Sequence, residues 1–379
     1  MTKWKIPLYK VFVDKDDVRV VSKVISRGMD WAIGPEIKLF EKLLAKYVGA
    51  DYCLAFNSGT SALHASLLAA EIRNGDKVLL PSFTFIATAN CALMVGATPK
   101  FVDIEEDTLG LDPQLVSSNI DKKTRCILPV HYAGLPCKIK EIAEISKQNK
   151  IWLIEDAAES LGARIRKKMT GTFGEMSIFS FAGNKVLTTG EGGAVVTNSK
   201  SLFEKLQLLR SHGRRDKQNY FSSTDKPDYV SIGYNWRMSS MTAALAISQL
   251  EKIEKLINLR RKNAGYLNSR LSKLKNVKVS LEMQSYRHVY QMYSILLPNS
   301  DFRNKLMTFL TKKGIMSKVF FDPVHLTRFY KNMGYAKNLK LPVTESISQR
   351  TLTLPMYPGL KKEELDYICE SVKEFIEQE

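Results

Sequence analysis

Residues 180–196 read SFAGNKVLTTGEGGAVV and place one lysine, Lys185, in a glycine-rich loop between two apolar segments. The segment before the loop, MSIFSF at 176–181, and the segment after it, GAVV at 193–196, are typical of buried strands. A loop lysine is usually a solvated charge, but apolar flanks of this kind hold an amine in the interior, where it becomes a better nucleophile. The pattern therefore predicts a buried, reactive amine at Lys185.

An aspartate and a helix N-terminus are the next candidates for chemistry. Asp156 ends the apolar segment IWLIED at 151–156, and open α/β sheets bind ligands at the carboxyl ends of their strands. Taken alone, such an aspartate is as often a helix cap, and no nearby His or Cys pattern favours a metal. Ser58, Gly59 and Thr60 open a predicted helix whose N-terminus can bind an anion, although Ser and Thr are also ordinary caps.

These positions are more informative together than alone, and Phe85 in the segment PSFTF at 81–85 adds an apolar ring to them. Pyridoxal 5′-phosphate (PLP) needs an amine for its aldehyde carbon and an anion for its ring nitrogen. It also needs a phosphate site and a flat apolar face. The lysine, the aspartate, the helix N-terminus and the ring match these needs, so the sequence predicts PLP as the cofactor and no metal.

Short apolar strands alternate with helices over the first two thirds of the chain. Strands are predicted at 77–81, 100–103, 126–130 and 151–156, and helices at 60–71, 86–95 and 140–148. This alternation indicates an α/β fold in which helices cover both faces of a mostly parallel sheet. Beyond residue 240 the pattern changes to long amphipathic helices. We therefore expect a large domain over 1–250 and a smaller C-terminal α+β domain over 251–379.

Composition narrows the class of partner. The chain has 56 Lys and Arg against 39 Asp and Glu residues, a net charge of +17, yet no nucleic-acid-binding motif accompanies the scattered basic residues. A solvated surface that attracts anionic small molecules is therefore favoured over nucleic acid. The absence of a signal-peptide pattern and of a bilayer-length apolar segment predicts a cytoplasmic protein without a membrane partner. The five cysteines are widely spread, so we expect them to be reduced and mostly buried.

Together the motifs resemble the DegT-type family of PLP-dependent sugar aminotransferases, which have the aspartate-aminotransferase fold (PLP fold type I). The resemblance covers nearly the whole chain, from GPE at 34–36 to LPMYPGL at 354–360. Within the family, EDAAE at 155–159 and the residues around Lys185 look like the perosamine-synthase-like branch. The resemblance implies transamination at C4 of a nucleotide-linked 4-keto-6-deoxy sugar, with glutamate as the amino donor and 2-oxoglutarate as its product.

The resemblance also implies roles for individual residues. Lys185 would hold the cofactor as a Schiff base, Asp156 would pair with the ring nitrogen, and Glu159 would lie beside the ring hydroxyl. Asn235 would reach the phosphate from a neighbouring subunit, which implies a homodimer with shared active sites. The remaining expected contacts are to the cofactor from Gly59, Thr60, Phe85 and Ser180, and to the substrate from Phe320 and His325.

Three alternatives stay open at this stage: a 3-keto sugar aminotransferase of the same family, a non-catalytic PLP-fold regulatory protein that binds DNA, and an ordinary amino-acid aminotransferase. The last needs a late arginine to clamp the donor α-carboxylate, and no arginine has the expected spacing. Among the histidines, His325 is either a sugar contact or a packed ring, and His64 is expected to be structural. His212 either lines a substrate entrance or belongs to an exposed basic turn, whereas His131 and His288 have no assigned role.

Overall fold

The computed structural model describes residues 4–215, 224, 226–335 and 337–379. Its helices are α1 (Lys15–Arg27), α2 (Pro35–Val48), α3 (Gly59–Ala69), α4 (Ile86–Met94), α5 (Pro113–Asn119), α6 (Ile139–Asn149), α7 (Lys200–Arg210), α8 (Ser240–Glu251), α9 (Ile253–Leu271), α10 (Ser300–Lys312), α11 (Arg328–Asn332), α12 (Pro342–Arg350) and α13 (Lys362–Gln378). Its strands are β1 (Tyr52–Phe56), β2 (Lys77–Pro81), β3 (Thr98–Val102), β4 (Thr124–Ile127), β5 (Trp152–Asp156), β6 (Arg164–Ile165), β7 (Lys168–Met169), β8 (Met176–Ser180), β9 (Gly193–Thr197), β10 (Lys278–Val279), β11 (Tyr286–Arg287), β12 (Tyr293–Leu296) and β13 (Thr351–Leu354). Short 3₁₀ turns occupy Tyr132–Gly134 and Val324–Leu326.

The largest sheet among the described residues has the strand order β1-β9-β8-β5-β4-β2-β3. Strands β3, β2, β4, β5 and β8 run parallel, whereas β9 is antiparallel to both of its neighbours. The central strands are buried along almost their whole length, which explains why they appear in the sequence as continuous apolar runs. The prediction of an α/β fold with a mostly parallel sheet is confirmed.

Helices cover both faces of this sheet. On one face, α3, α4 and α7 contribute to a core that includes Leu63, Leu80 and Ile154. On the other face, α2 and α8 pack over a core that includes Phe40 and Phe179. All five cysteines are buried. None of the helices in the described part of the chain combines the length and apolar character needed to span a bilayer.

The C-terminal residues build a smaller antiparallel sheet with the order β10-β12-β13. Helices α9, α10 and α13 pack with this sheet in a separate core, which includes Tyr293, Leu310 and Ile368. The expected boundary at 250/251 falls close to Lys252, the single residue between α8 and α9. We retain the two domains as a proposal, with one addition: Tyr330 and Leu341 lie beyond the boundary and pack in the core of the first sheet.

The chain beyond residue 320 returns to the carboxyl ends of strands β2 and β3. Asp103, just after β3, accepts hydrogen bonds from the backbone amides of Val343 at 2.9 Å and Thr344 at 2.8 Å, and so caps the first turn of α12. Ser82, just after β2, accepts the amide of Val324 on its backbone carbonyl at 2.8 Å. These contacts place the 320–326 segment over the end of the sheet where the parallel strands finish.

Gly193, the first residue of β9, allows the N-terminus of α3 to lie directly against this strand. A Cβ atom added at Gly193 would lie 2.4 Å from the carbonyl oxygen of Ser58 and 2.6 Å from the amide nitrogen of Gly59. Both contacts involve backbone atoms, which cannot move aside as a flexible side chain would. The glycine therefore fixes how closely the start of α3 approaches the sheet.

We expect Gly193→Ala to destabilise the protein by about 1–3 kcal/mol, since the added methyl group overpacks against backbone. Gly265→Ala is the matched control, because Gly265 lies in α9 and an added Cβ there would meet nothing within 4 Å. That change should raise stability by about 1 kcal/mol through helix propensity. Chemical denaturation of the two variants measures both effects, and equal stability of the two would contradict the packing argument.

Candidate active site

A cavity of about 400 Å³ lies at the carboxyl ends of the parallel strands. The sequence-predicted residues that line it are Gly59, Thr60, Phe85, Asp156, Glu159, Ser180, Lys185 and Phe320. A larger cavity of about 770 Å³, beside Lys38 and Arg215, contains none of them. The smaller cavity is therefore the candidate site, because it contains the predicted functional residues and the larger cavity does not.

Lys185 and Glu159 face each other inside the cavity. The lysine Nζ lies 3.5 Å from Oε1 of Glu159, and the lysine side chain is 14% exposed. The other carboxylate oxygen of Glu159 accepts the backbone amide of Ala133 at 2.8 Å. Ala133 has a φ of +56°, in the left-handed region that non-glycine residues rarely adopt. Ala133 has this unusual conformation at the same position where its amide donates to Glu159.

Asp156 is held by two donors at the end of β5. Its Oδ2 accepts the hydroxyl of Thr88 at 2.8 Å, and its Oδ1 accepts the backbone amide of Ala158 at 3.1 Å. Thr88 is in turn 2.8 Å from the hydroxyl of Thr84, so a short polar chain leads from the β2–α4 loop to the carboxylate. A fixed carboxylate at this depth can pair with a protonated ring nitrogen.

Burial dominates the electrostatics of both carboxyl groups. It raises the pKa of Asp156, and the hydrogen bonds from Thr88 and Ala158 and the charge of Lys185 offset this only in part. Burial likewise raises the pKa of Glu159, against the opposing effects of the Lys185 charge and the Ala133 amide. A cationic group that enters the cavity beside these carboxylates would therefore stabilise their charged forms.

The N-terminus of α3 forms the opposite wall of the cavity. Ser58 caps this helix by accepting the amide of Ser61 at 3.0 Å, and Ser58, Gly59 and Thr60 line the cavity. The first amides of a helix have no partner within the helix and favour an anion such as phosphate. A Cβ at Gly59 would lie 3.0 Å from the Cβ of Ser180, a tighter contact than nearly all real Cβ atoms make, so the glycine favours this close approach.

Aromatic rings close the remaining side. Phe85 lines the cavity and is 59% exposed, and its ring centroid lies 6.2 Å from that of Phe321. Phe320 also lines the cavity, beside Phe321. An amine, a deep carboxylate, a helix N-terminus and an apolar ring thus surround one cavity. The residues present fit PLP.

The structure keeps His325 out of the cavity. Its ring is fully buried, with Nδ1 at 2.6 Å from the hydroxyl of Ser82 and Nε2 at 3.5 Å from Oε1 of Glu345. Burial lowers the pKa of His325, which favours the neutral ring. This position agrees with the packed-ring alternative, and the sugar contact at His325 stays a prediction. His325 fastens the 320–326 segment to Ser82.

Asn235 also lies away from the cavity of its own chain. The residue is exposed, and its backbone carbonyl accepts a hydrogen bond from Nδ2 of Asn57 at 3.4 Å. Its neighbours Tyr234 and Trp236 stack with ring centroids 3.9 Å apart, and His64 packs against Trp236 at 5.0 Å. An exposed asparagine beside a rigid aromatic stack is free to contact a second molecule.

The other histidines do not reach the cavity. His131 and Glu155 form a fully buried pair, with Nε2 at 3.0 Å from Oε2. His288 accepts the amide of Tyr290 on Nδ1 at 3.0 Å, and burial lowers the pKa of this ring to about 3. His212 has a φ of +60° in the turn after α7. The alternative of an entrance residue at His212 is not tested by these contacts.

Sequence reasoning missed Thr88, Phe321 and Met292, all of which line the cavity. Thr88 follows Phe85 by three residues at the start of α4, so helical spacing could have placed it on the same side. Phe321 directly follows a predicted contact. Met292 lies in an apolar segment without a sequence signal that would distinguish it from core.

The fold and the groups in the cavity indicate the class of enzyme. A partly buried lysine and two buried carboxylates beside a helix N-terminus, all at the ends of parallel strands, are typical of PLP enzymes with an α/β fold. The chain belongs to the DegT/DnrJ/EryC1/StrS aminotransferase family, which matches residues 12–373.

Individual relatives agree with this assignment. The chain is 35% identical over 370 residues to the GDP-perosamine synthase of Escherichia coli O157:H7, with 98% of each chain covered. Among solved structures it is similar to PseC of Helicobacter pylori, an aminotransferase involved in the biosynthesis of pseudoaminic acid, with 28% identity, a TM-score of 0.91, and 99% and 100% of the two chains covered. It is also similar to Spr1654 of Streptococcus pneumoniae in its PLP form, with 26% identity, a TM-score of 0.91, and 99% and 98% covered.

Two predictions are confirmed by these comparisons. Aminotransferases of this family depend on PLP, which is the cofactor expected from the sequence. The chain is accordingly a PLP-dependent sugar aminotransferase, as the motifs around Lys185 predicted.

Replacing Asp156 should stabilise the ligand-free protein, because the buried carboxylate has a raised pKa. A raised pKa in the folded state means that the full stability is present only below the unfolded value and is lost as pH rises through the folded value. Asp156→Asn should therefore raise the melting temperature at pH 7.5 by about 2 °C, and this gain should vanish as the pH falls to about 4.

Thermal denaturation of the ligand-free protein across this pH range measures the effect. Asp112→Asn is the matched control, since Asp112 caps α5 and asparagine caps helices equally well. Its melting temperature should follow that of the unmodified protein. A lower melting temperature of Asp156→Asn at pH 7.5 would contradict the argument from burial.

Proposed function

We propose that this protein transfers an amino group from glutamate to C4 of a nucleotide-linked 4-keto-6-deoxy sugar, and that the nucleotide is GDP. The observation that carries the proposal is the pairing of the Lys185 amine with Glu159 at 3.5 Å, in the cavity that Asp156 also lines. The relative from Escherichia coli is named a GDP-perosamine synthase, which supports the choice of nucleotide. The residues that flank Lys185 support amination at C4.

Each residue of the cavity has a separate role in the proposed reaction. When bound, PLP supplies an electrophilic carbon for amine exchange and an electron sink for the carbon that loses its proton. Lys185 is the amine that would hold the cofactor. Its Nζ, when free, would take up and return the proton at the substrate carbon as a general base and acid. Glu159, 3.5 Å away, orients this amine.

Asp156 and the helix N-terminus hold the reacting groups in place. The carboxylate of Asp156 would pair with a protonated ring nitrogen, and the hydroxyl of Thr88 donates to that carboxylate at 2.8 Å. Gly59 and Thr60 at the start of α3 would bind the phosphate through backbone amides. Phe85 would provide an apolar face for the cofactor ring. These contacts would hold the cofactor and the substrate in fixed positions relative to Nζ of Lys185, the group that transfers the proton.

A homodimer completes the proposed site. Among the described residues that line the cavity, Lys185 is the one cation, whereas glutamate and a nucleotide-linked sugar bring several negative charges. Further polar and basic groups must therefore come from outside the cavity of a single chain. Asn235 is exposed, and so are the large apolar side chains of Trp31, Tyr229 and Ile232, of which Ile232 is 83% exposed. These exposed groups support the proposal that a second copy of the chain packs against them.

Lys185→Ala should abolish transamination, since no other amine lines the described cavity, while PLP should still bind noncovalently. The activity test incubates the protein with PLP, glutamate and the GDP-, UDP- or dTDP-linked 4-keto-6-deoxy sugar, and detects the amino sugar by mass. Amination of the GDP-linked sugar by the unmodified protein is the expected result. Normal turnover by Lys185→Ala, or the absence of turnover with every keto sugar, would overturn the proposed function.

Mixed dimers test whether Asn235 acts in a neighbouring subunit. Co-expression of Lys185→Ala and Asn235→Ala chains with different tags gives a dimer in which a shared arrangement puts both defects in one site and none in the other. The hybrid should then show about half of the activity of the unmodified dimer, although each parent is nearly inactive. An inactive hybrid would mean that Asn235 does not act across the interface.

A further inference from the structure

A short segment, Val289–Met292, packs between the two loops that carry the paired groups of the site. The amide of Val289 donates to the carbonyl of Gly134 at 3.1 Å, and the amide of Met292 donates to the carbonyl of Ala133 at 3.3 Å. Ala133 is the residue whose amide holds Glu159. On this side, therefore, the segment positions the turn that fixes the carboxylate facing Lys185.

Gln291 extends from the same segment to the lysine loop. Its Nε2 donates to the carbonyl oxygen of Asn184 at 2.8 Å, and the residue is 3% exposed. The carbonyl of Asn184 and the amide of Lys185 belong to one planar peptide unit. That amide donates to the carbonyl of Ala182 at 2.9 Å, so both polar atoms of the plane are fixed. A peptide plane held at both edges sets the direction in which the Lys185 side chain leaves the backbone.

Arg260 of helix α9 holds the backbone from which Gln291 projects. Its Nη1 lies within hydrogen-bonding distance of three backbone carbonyls, those of Tyr290 at 3.3 Å, Gln291 at 3.2 Å and Met356 at 3.1 Å. The residue is 3% exposed, and burial lowers the pKa of its guanidinium to about 10. A buried cation with carbonyl acceptors costs free energy of desolvation, which is consistent with a role other than stability alone.

We propose that Gln291 is a positioning residue for Lys185, which acts through the carbonyl of Asn184 and is itself held by Arg260. The same segment fixes Glu159 through Ala133, so one structural unit sets the distance between the amine and the carboxylate. This inference rests on the proposed function of Lys185 as the amine that reaches the cofactor. It adds a specific group, outside the cavity lining, on which that function depends.

Covalent trapping tests the proposal without turnover of any sugar. Protein mixed with PLP is treated with borohydride, which fixes the link between Lys185 and the cofactor, and the labelled peptide is quantified by mass spectrometry over time. Gln291→Met keeps a similar volume but removes the donor to Asn184. The labelling rate of Lys185 should fall about tenfold, the effect of one lost hydrogen bond on the position of the amine.

A second background separates positioning from general damage to the cavity. In Lys185→Ala protein, Gln291→Met should leave the noncovalent affinity for PLP unchanged, because no lysine remains to be positioned. An equal loss of PLP affinity with and without Lys185 would show a merely structural role and overturn the proposal. Gln291→Leu, a neutral side chain that also lacks the amide donor, should slow labelling in the same way and covers the case in which Gln291→Met does not fold.

Gln249→Met is the matched control. Gln249 is also a buried glutamine whose Nε2 donates to a backbone carbonyl, that of Phe12 at 3.1 Å, but it lies outside the cavity lining. It should lower stability and leave the labelling rate of Lys185 unchanged. Equal labelling rates in Gln291→Met and unmodified protein would overturn the positioning role alone. Absence of labelling at Lys185 in unmodified protein would overturn the proposed function, and with it this inference.

Discussion

Burial of an amine and two carboxylates in one cavity governs the arrangement of the groups around it. Charges removed from water need partners at hydrogen-bonding distance, and each of the three obtains them from a different part of the chain. Asp156 is satisfied by the Thr88 hydroxyl and the Ala158 amide, Glu159 by the Ala133 amide, and Lys185 by Glu159. Hydrogen bonds to these buried carboxylates therefore help to position three elements, in addition to the apolar cores behind them. The elements are helix α4, the loop after β5 and the turn after β4.

The parallel sheet makes this concentration of groups possible. Parallel strands finish at the same edge, so residues that follow β2, β4, β5 and β8 meet there although they are far apart in sequence. The C-terminal third then covers the edge through contacts at Ser82 and Asp103. His325 takes part in this attachment through Ser82, and Phe320 and Phe321 from the same segment line the cavity.

Much of the fold and of the cofactor cavity could be predicted from the sequence, because continuous apolar strands and the glycine-flanked lysine are local signals. The strand predicted at 77–81 matches β2, and the helix predicted at 86–95 matches α4 within one residue. The sequence left a sugar contact and a packed ring equally open for His325, since its partner Ser82 is 243 residues away in sequence and no local pattern records the contact. The role of Gln291 is hidden for the same reason: a glutamine in an apolar segment shows neither its acceptor nor the cation that holds it.

The capping of α12 by Asp103 has a consequence for synthesis of the chain. The carboxylate and the amides that it accepts are separated by about 240 residues, and Ser82 is equally far from its partner. Domains fold as the nascent chain emerges, with N-terminal residues first. The segments that carry Asp156 and Lys185 are therefore synthesised well before the residues that cover the edge of the sheet above them. The contacts at Ser82 and Asp103 can form only after residues 324–344 have left the ribosome.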